Sequence, residues 1–309
     1  MRVAVLKGGS SLERTVSLRS GARVEDALQR LGHDVLGLDV GADFVDRLVS
    51  ERPDAAFVAL HGRGGEDGTV QELLELVGVP YTASGPGACV RCWDKVVTKH
   101  ALRDAGIPTP EFYAFSQAAF EDLGAAKALP AIEGQLEFPI VVKPASGGSA
   151  LGIKFARAAS DVPGALVAAL SYDTKVLLER FVHGRDLAVS ILDGEPLPVV
   201  EAIPTGDSYD FEARYEIGAT RFACPADLTP AIAARAQELA LATWNVLGCR
   251  GFARVDLMLE GEELFVLEAN AIPGLTDTSL LPLAADAAGI GFDDFVARML
   301  DHAVERTPA

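Results

Sequence analysis

Two apolar runs in the last third of the chain point to the architecture: Gly251-Phe-Ala-Arg-Val-Asp-Leu-Met-Leu259 and Phe265-Val-Leu-Glu-Ala-Asn-Ala-Ile-Pro-Gly274. Both are typical of β-strands, and the short acidic turn between them predicts a hairpin. Side chains two apart on a strand point the same way, so Glu268 and Asn270 share a face that Asp256 can join. Oxygen ligands on a rigid floor suit a hard cation such as Mg²⁺, which usually brings substrate phosphates with it. The hairpin therefore predicts a Mg-nucleotide enzyme.

Composition narrows the class of protein. The chain has 309 residues and a net charge of −17, with a pI near 4.7. That length suits two or three domains, and a chain this acidic is a poor candidate for binding a nucleic-acid backbone. No apolar run reaches the roughly 18 residues of a membrane span, and the first residues do not resemble a signal peptide. We therefore expect a cytoplasmic protein with no nucleic-acid or membrane partner.

The cysteines are expected to be buried free thiols. Cys89 and Cys92 have CxxC spacing, but no second such pair follows, and cytosolic chains rarely keep disulfides. A zinc or redox motif is therefore the weaker interpretation.

Strands alternate with helices over the first part of the chain, which predicts an open parallel sheet. A short strand is expected there at 79–81, and a helix at 93–105 that ends at Gly-Ile-Pro. The middle part is predicted to be α+β, and the last part has long apolar strands, one of them at 197–203. The fold class is thus α/β and α+β. The predicted domains are 1–92, 93–183 and 184–309.

A glycine-rich loop follows the apolar strand predicted at 138–143. Its sequence, from the last strand residue, is Lys143-Pro-Ala-Ser-Gly-Gly-Ser-Ala-Leu-Gly152. Glycines let backbone N–H groups approach phosphate oxygens without interference from a Cβ, and Lys143 adds a positive charge. The order of residues is not that of a P-loop, and a flexible hairpin turn would explain the loop alone. Beside a metal hairpin, the loop predicts a phosphate site.

Three further candidates have plain structural alternatives. Glu179 lies on a predicted strand and Asp186 in the loop that follows it. Glu179 could bind an adenine amino group and Asp186 the ribose hydroxyls, or both could be incidental charges of a solvent-exposed linker. His61 follows a parallel strand at the sheet edge where ligands bind, or is a satisfied histidine in a polar turn. Glu13 starts the first helix, where it could recognise a substrate ammonium group or simply favour the helix dipole.

Eight motifs occur in a fixed order along nearly the whole chain. They are VLKGGSSLERTVSLRSG (5–21), ALHGRGGEDG (59–68), PYTASG (80–85), DKVVTK (94–99), VKPASGGS (142–149), YDFEARY (209–215), EANAIPGLT (268–276) and SLLP (279–282). Together they resemble the D-alanine–D-alanine ligase family of the ATP-grasp superfamily. The resemblance implies a three-domain ATP-grasp fold in which ATP binds between the central and C-terminal domains.

The resemblance also implies a reaction and its partners. ATP phosphorylates a first D-alanine, a second D-alanine attacks the acyl phosphate, and phosphate leaves from a tetrahedral intermediate. The product serves peptidoglycan precursor synthesis. The implied cofactors are Mg²⁺ or Mn²⁺, as two ions, with room for a monovalent cation. A homodimer formed through the N-terminal domain is implied as well.

Site residues carry over from the resemblance one by one. Glu13 would meet the ammonium of the first D-alanine near His61, and Ser149 and Tyr215 would join Glu13 in a hydrogen-bonded triad. The oxyanion would be stabilised by Arg254 and the Gly274 backbone, and the second carboxylate by Ser279 and Leu280. The implied nucleotide-site residues are Lys95, Lys143, Glu179, Arg180, Phe181, Val182, Asp186 and Arg214. The implied metal ligands are Asp256, Glu268 and Asn270.

Departures from the family pattern leave two alternatives open. Gly147 stands for a usual glutamate, Asp186 for a glutamate, Arg214 for a lysine and Trp93 for a methionine. They are compatible with another ATP-grasp carboxylate–amine ligase that joins different amino acids. A catalytically silent ATP-binding regulatory protein would have lost a lysine, a metal ligand or the oxyanion arginine, and these residues are all present. Tyr215 resembles the dipeptide-forming members.

Overall fold

A computed structural model describes residues 1–204 and 220–305. The chain begins with the predicted parallel sheet, in which β1 (Arg2–Lys7) lies between β2 (Asp34–Asp39) and β3 (Ala55–Val58). The four middle residues of β1 and all four of β3 are buried, as expected for parallel strands whose two faces are covered. The connecting and following helices are α1 (Arg14–Arg30), α2 (Phe44–Glu51) and α3 (Thr69–Val77).

The predicted helix at 93–105 is wrong at its start. Two helices occupy this region, α4 (Pro86–Trp93) and α5 (Lys95–Asp104), and Asp94 between them is extended. Its side chain accepts hydrogen bonds from the backbone N–H groups of Val96 and Val97, so it caps α5 instead of continuing a helix. The predicted strand at 79–81 is also wrong, because the segment forms a single bridge to β3.

A second sheet is antiparallel and has its own core. Its strands are β4 (Phe112–Ser116), β5 (Ile140–Pro144), β6 (Lys154–Ala156) and β7 (Lys175–Arg180), in the order β4-β7-β5-β6. The helices around it are α6 (Gln117–Asp122), α7 (Leu129–Leu136) and α8 (Val162–Leu170). Residues of α7 and α8 pack on β5 and β7 in a cluster separate from the main core.

The third sheet contains the hairpin. Its strands are β8 (Arg185–Leu192), β9 (Glu195–Pro196), β10 (Val200–Pro204), β11 (Thr220–Ala223), β12 (Phe252–Glu260) and β13 (Glu263–Asn270). The order is β11-β10-β8-β12-β13, and β9 pairs with β8. The strand predicted at 197–203 is confirmed from Val200 onward as β10 but is wrong at its start, because Pro198 has no N–H to donate to a ladder.

Helices join the first and third sheets into one core. They are α9 (Pro230–Leu247), α10 (Leu280–Ala287) and α11 (Phe292–Glu305). The last helix, α11, packs on α1 and β3, while α4 and α5 pack on β13 and α9. The three sheets fall inside the three predicted domains, whose boundaries stay a prediction.

Two sequence expectations concern the chain as a whole. Of the helices in the described segments, none is both long and apolar enough to cross a bilayer. The cysteines are free thiols, as predicted, and those at 89, 92 and 249 are buried. Cys224 is only half-buried, so the prediction of burial is wrong for this residue. The sulfur atoms of Cys92 and Cys249 lie 3.6 Å apart.

Candidate active site

The hairpin forms the floor of the site. In the register of β12 and β13, Asp256 lies opposite Glu268 and Arg254 lies opposite Asn270. The irregularity in the ladder comes after Asp256, so it does not disturb these two pairs. Side chains that are opposite or two apart share a face. The predicted common face of Asp256, Glu268 and Asn270 is therefore present, and it includes Arg254.

Two cations neutralise the carboxylates of this floor. The Nε and Nη2 atoms of Arg254 donate to the two oxygens of Asp256 at 2.6 and 2.8 Å. The Nζ atom of Lys95 lies 3.4 Å from Glu268 Oε2. Lys95, Arg254, Asp256 and Glu268 are called the floor cluster below. Burial raises the pKa of Glu268, but Lys95, Lys143 and Arg254 outweigh it, so the pKa is lowered and the carboxylate stays ionised.

The floor carries donors that fit a hard cation. Asp256 and Glu268 supply carboxylates, and Asn270 supplies an amide oxygen that accepts from the Ile272 N–H at 2.9 Å and keeps a second lone pair. Such oxygen donors are what Mg²⁺ takes in nucleotide sites. Within residues 1–204 and 220–305, no cluster of three or more His, Cys, Asp or Glu side chains could hold a metal. The donor set is thus two carboxylates and an amide.

The glycine-rich loop forms the opposite wall. Gly147 has φ +103°, and Ser149 and Ala150 have φ of +52° and +55°. Only glycine tolerates the first conformation without strain. The loop is tied to the floor cluster, because Lys95 Nζ donates to Gly147 O at 2.5 Å. The loop also reaches the first sheet, since the Ser149 hydroxyl hydrogen bonds to a carboxylate oxygen of Glu13.

A buried charge cluster, here called the wall cluster, lies behind this loop and consists of Lys99, Lys143 and Glu179. Lys143 Nζ lies 2.9 Å from Glu179 Oε1, and Lys99 Nζ lies 2.5 Å from Glu179 Oε2. Burial raises the pKa of Glu179, but the two lysines overcome it and the pKa is lowered. Burial also lowers the pKa of Lys99 to about 8, despite Glu179. Lys99 was not among the predicted site residues.

A cavity of about 330 Å³ separates the wall from the floor. It lies between the second and third sheets and has an apolar interior that includes Leu257, Met258 and Leu267. Sequence reasoning did not assign these three, although each lies within two positions of Asp256 or Glu268. The predicted site residues that line the cavity are Lys95, Lys143, Ser149, Glu179, Arg180, Phe181, Val182, Asp186, Arg254, Asp256, Glu268 and Leu280.

Arg180 and Asp186 stand at one side of this cavity. Arg180 forms an ion pair with Glu260, with 3.1 Å between Nη1 and Oε2, and its guanidinium lies 4.9 Å from the centroid of the Phe265 ring. The predicted pairing of Glu179 with an adenine amino group has a competitor, because both oxygens of Glu179 contact lysines.

Glu13 and His61 lie outside the lining of the large cavity. Glu13 precedes α1 and faces Gly62, where an added Cβ would come within 2.8 Å of its Oε2. Burial raises the pKa of Glu13, and the negative charge of Glu66 adds to the rise. His61 is buried, with Nδ1 3.1 Å from Ile272 O and Nε2 2.9 Å from the Ser20 hydroxyl. Both ring nitrogens of His61 therefore have hydrogen-bond partners within the protein, as the structural alternative predicted.

The segment after the hairpin carries Gly274 and Ser279, which also lie outside the lining of the large cavity. Ser279 Oγ accepts from the Thr276 N–H at 3.0 Å, and an added Cβ on Gly274 would lie 2.8 Å from that oxygen. Asn270 lines a smaller cavity of about 20 Å³ beside the floor. Tyr215 and Arg214 lie outside the described residues, so the predicted triad is represented by Glu13 and Ser149.

Family models match both parts of the chain. The model described as D-ala D-ala ligase C-terminus matches residues 101–301, and that described as D-ala D-ala ligase N-terminus matches residues 42–84. A D-alanine–D-alanine ligase of Syntrophotalea carbinolica is 42% identical over 97% of this chain and 95% of its own length. One from a Synechococcus strain is 43% identical over 99% of this chain and 94% of its own.

Solved structures agree with the sequence matches. The crystal structure of the D-alanine–D-alanine ligase from Bacillus anthracis has a TM-score of 0.87 and 33% identity, covering 98% of this chain and 97% of that one. The same enzyme complexed with ATP gives a TM-score of 0.83 and 30% identity over the same shares. The parallel and antiparallel sheets described above fit the predicted ATP-grasp fold. The chain belongs to the D-alanine–D-alanine ligase family.

Proposed function

We propose that this protein joins two D-alanine molecules to D-alanyl-D-alanine at the expense of ATP, through a D-alanyl phosphate, and releases ADP and phosphate. The observation that carries the proposal is the cavity of about 330 Å³ between Lys143 and the glycine-rich loop on one side and the floor cluster on the other. Ser149 at its edge bonds to Glu13, which gives the cavity a second, anionic compartment.

The nucleotide would occupy the large cavity. Its apolar interior suits a base, and Lys95 and Lys143 offer positive charge where phosphates would lie. Asp256, Glu268 and Asn270 would hold Mg²⁺ or Mn²⁺, as two ions, which supply charge neutralisation at the phosphates when bound. Departures such as Gly147 leave these donors intact.

The two amino acids would flank the floor. Glu13 provides an anion for the ammonium group of the first D-alanine, and Ser149 closes the loop over it. Arg254 and the Gly274 N–H would stabilise the oxyanion of the tetrahedral intermediate, which requires preorganised positive charge. Ser279 and Leu280, at the start of α10, would receive the carboxylate of the second D-alanine. Holding both zwitterions in attack geometry removes an entropic part of the barrier.

Phosphate release in the presence of ATP and Mg²⁺ tests the proposal. D-Alanine should give turnover and a product of dipeptide mass, whereas L-alanine should give none. D-Serine and further amino acids should be tested in the same assay. Absence of turnover with D-alanine, combined with turnover of another pair, would replace the proposed substrate and favour the other ATP-grasp ligase considered above.

Three wider properties belong to the same proposal. The product would serve peptidoglycan precursor synthesis in the cytoplasm. The protein would act as a homodimer formed through the N-terminal domain, and the three domains would divide at 1–92, 93–183 and 184–309. A monovalent cation would accompany the divalent ions. Light scattering at assay concentration tests the dimer, and activity in potassium against tetramethylammonium salts tests the monovalent ion.

A further inference from the structure

The segment 271–279, here called the acceptor loop, is held from one side by α1. Ser20 Oγ accepts from the Leu275 N–H at 3.1 Å and also contacts His61. Ser20 is fully buried, so these contacts are shielded from water. Three positions further along α1, on the same face of the helix, is Arg23.

Arg23 makes more contacts with the acceptor loop than any neighbour described above. Its Nη1 donates to Leu275 O at 3.0 Å and to Thr276 O at 3.1 Å, and its Nε lies 3.0 Å from Asp277 Oδ1. The guanidinium stacks on Phe292, 3.8 Å from the ring centroid. A planar, charged fork stacked on a ring loses little further freedom when it binds carbonyls, so these bonds fix the loop.

The contacts of Arg23 bear on the position of Ser279. Gly274 and Ser279 lie within the acceptor loop, and Thr276, whose carbonyl Arg23 holds, donates its N–H to Ser279 Oγ. Glu13 immediately precedes α1, ten positions before Arg23, which is about 15 Å along a helix axis. The helix is therefore a rigid spacer between the Glu13 compartment and the acceptor loop.

We propose that Arg23 is a positioning residue for the second amino-acid site, acting through the backbone of the acceptor loop. The inference rests on the proposed function, because it takes the acceptor loop as the place where the second D-alanine binds. Arg23 does not reach substrate. It holds Ser279 in place through the backbone of Thr276, so its removal loosens acceptor binding without affecting the first D-alanine.

The test separates the two sites by changing the acceptor. With hydroxylamine, attack on the D-alanyl phosphate gives D-alanine hydroxamate and phosphate, and the second D-alanine is not needed. Arg23→Met should form hydroxamate at the wild-type rate and with the wild-type half-saturation for the first D-alanine. In dipeptide formation, the half-saturation for the second D-alanine should rise about tenfold, the equivalent of about 1.4 kcal/mol.

Matched variants keep the test decisive. Arg30→Met removes a different contact between α1 and α11, the ion pair of Arg30 with Asp293. Arg30 does not contact the acceptor loop, so this variant should leave both assays unchanged. Phe292→Leu removes the stacking but keeps the hydrogen bonds, and should raise the second half-saturation by less than Arg23→Met. Equal losses of Arg23→Met in both assays, or kinetics matching Arg30→Met, would overturn the inference. Failure of the proposed function would look different, because the wild type would then turn over D-alanine in neither assay.

Discussion

The wall cluster and the floor cluster face each other across one cavity, yet they differ in closure and in charge. In the wall cluster, Lys99 is fully buried, Glu179 is 2% exposed and Lys143 is 4% exposed. In the floor cluster, the side chain of Glu268 remains 30% exposed and that of Asp256 23%. The wall cluster holds two lysines against one carboxylate, whereas the floor cluster holds two cations against two carboxylates.

The contrast indicates that buried charges of the wall cluster mainly stabilise the fold, whereas the partly exposed charges of the floor cluster are available to ligands. A closed cluster has few alternatives to its own ion pairs, since a buried ion that loses its partner also lacks water. In a partly exposed cluster, an ion pair between two side chains can be replaced by contacts with a metal or a phosphate at a lower free-energy cost. We therefore expect changes in the floor cluster to reduce activity with little loss of stability, and changes at Lys99 and Glu179 of the wall cluster to reduce stability. Lys143 also lines the cavity, so its loss should affect both.

Removal of Glu268 tests the floor most severely. Glu268→Ala deletes a metal-ligand carboxylate and should reduce kcat by about 10³-fold, the scale of losing one preorganised electrostatic group. The melting temperature should stay near that of the wild type. Glu263→Ala, an exposed change on the same strand, is the control and should retain activity. Near-normal turnover of Glu268→Ala would refute the metal assignment.

Neutralising Glu179 tests the wall. Glu179→Gln keeps the shape of the side chain but leaves two buried lysines without their anion, so the free energy of unfolding should fall by about 3 kcal/mol. Urea denaturation measures the change. In the control Glu238→Gln, loss of the exposed pair with Arg235 should cost less than about 0.5 kcal/mol. Similar costs for the two variants would contradict the proposed closure of the wall cluster.

The low pKa of Lys99 gives the wall a pH signature. The folded value is about 8, whereas an unfolded lysine has a pKa of about 10.4. Between these values the unfolded chain binds a proton that the folded chain has lost, so rising pH favours the folded state. From pH 8 to pH 10, the free energy of unfolding of the wild type should therefore rise by about 2 kcal/mol relative to that of Lys99→Met. A flat or reversed difference in urea denaturation would contradict the low pKa.

Ser149 links the wall to the first sheet and should give the mildest phenotype. Its hydrogen bond lowers the pKa of Glu13, which burial and Glu66 raise. In Ser149→Ala, the acidic limb of the kcat/KM profile should therefore shift to higher pH, and the KM for D-alanine should rise about fivefold. Ser171→Ala, which removes a local helix-end bond, is the control. An unshifted acidic limb would show that Glu13 does not control this part of the profile.

Much of the fold could be predicted from periodicity. The parallel sheet and the hairpin both have strong local patterns, and they lie where the sequence placed them. The errors occur where a single polar residue or a proline changes the course of the chain. Asp94 ends one helix and caps the next, and Pro198 delays the start of a strand, which apolar patterns do not register.

The site, too, could be predicted only in part from the sequence. Asp256, Glu268 and Asn270 could be placed on one face from spacing alone, because strand geometry has a period of two. The partners that set their charge state could not be placed in this way. Lys95 comes from α5, more than 150 positions earlier in the chain, and Lys99 on the same helix meets Glu179 inside the second sheet.

Local sequence thus established the elements, the family motifs and the oxygen donors of the hairpin, since each depends on neighbours only a few residues away. The packing of the three sheets established which charges are closed and which are open, and it placed Arg23 of the first helix under the loop that follows the last strand. These properties depend on burial and on contacts between distant segments. No local pattern encodes them, because the free energy of an ion pair depends on the water excluded around it.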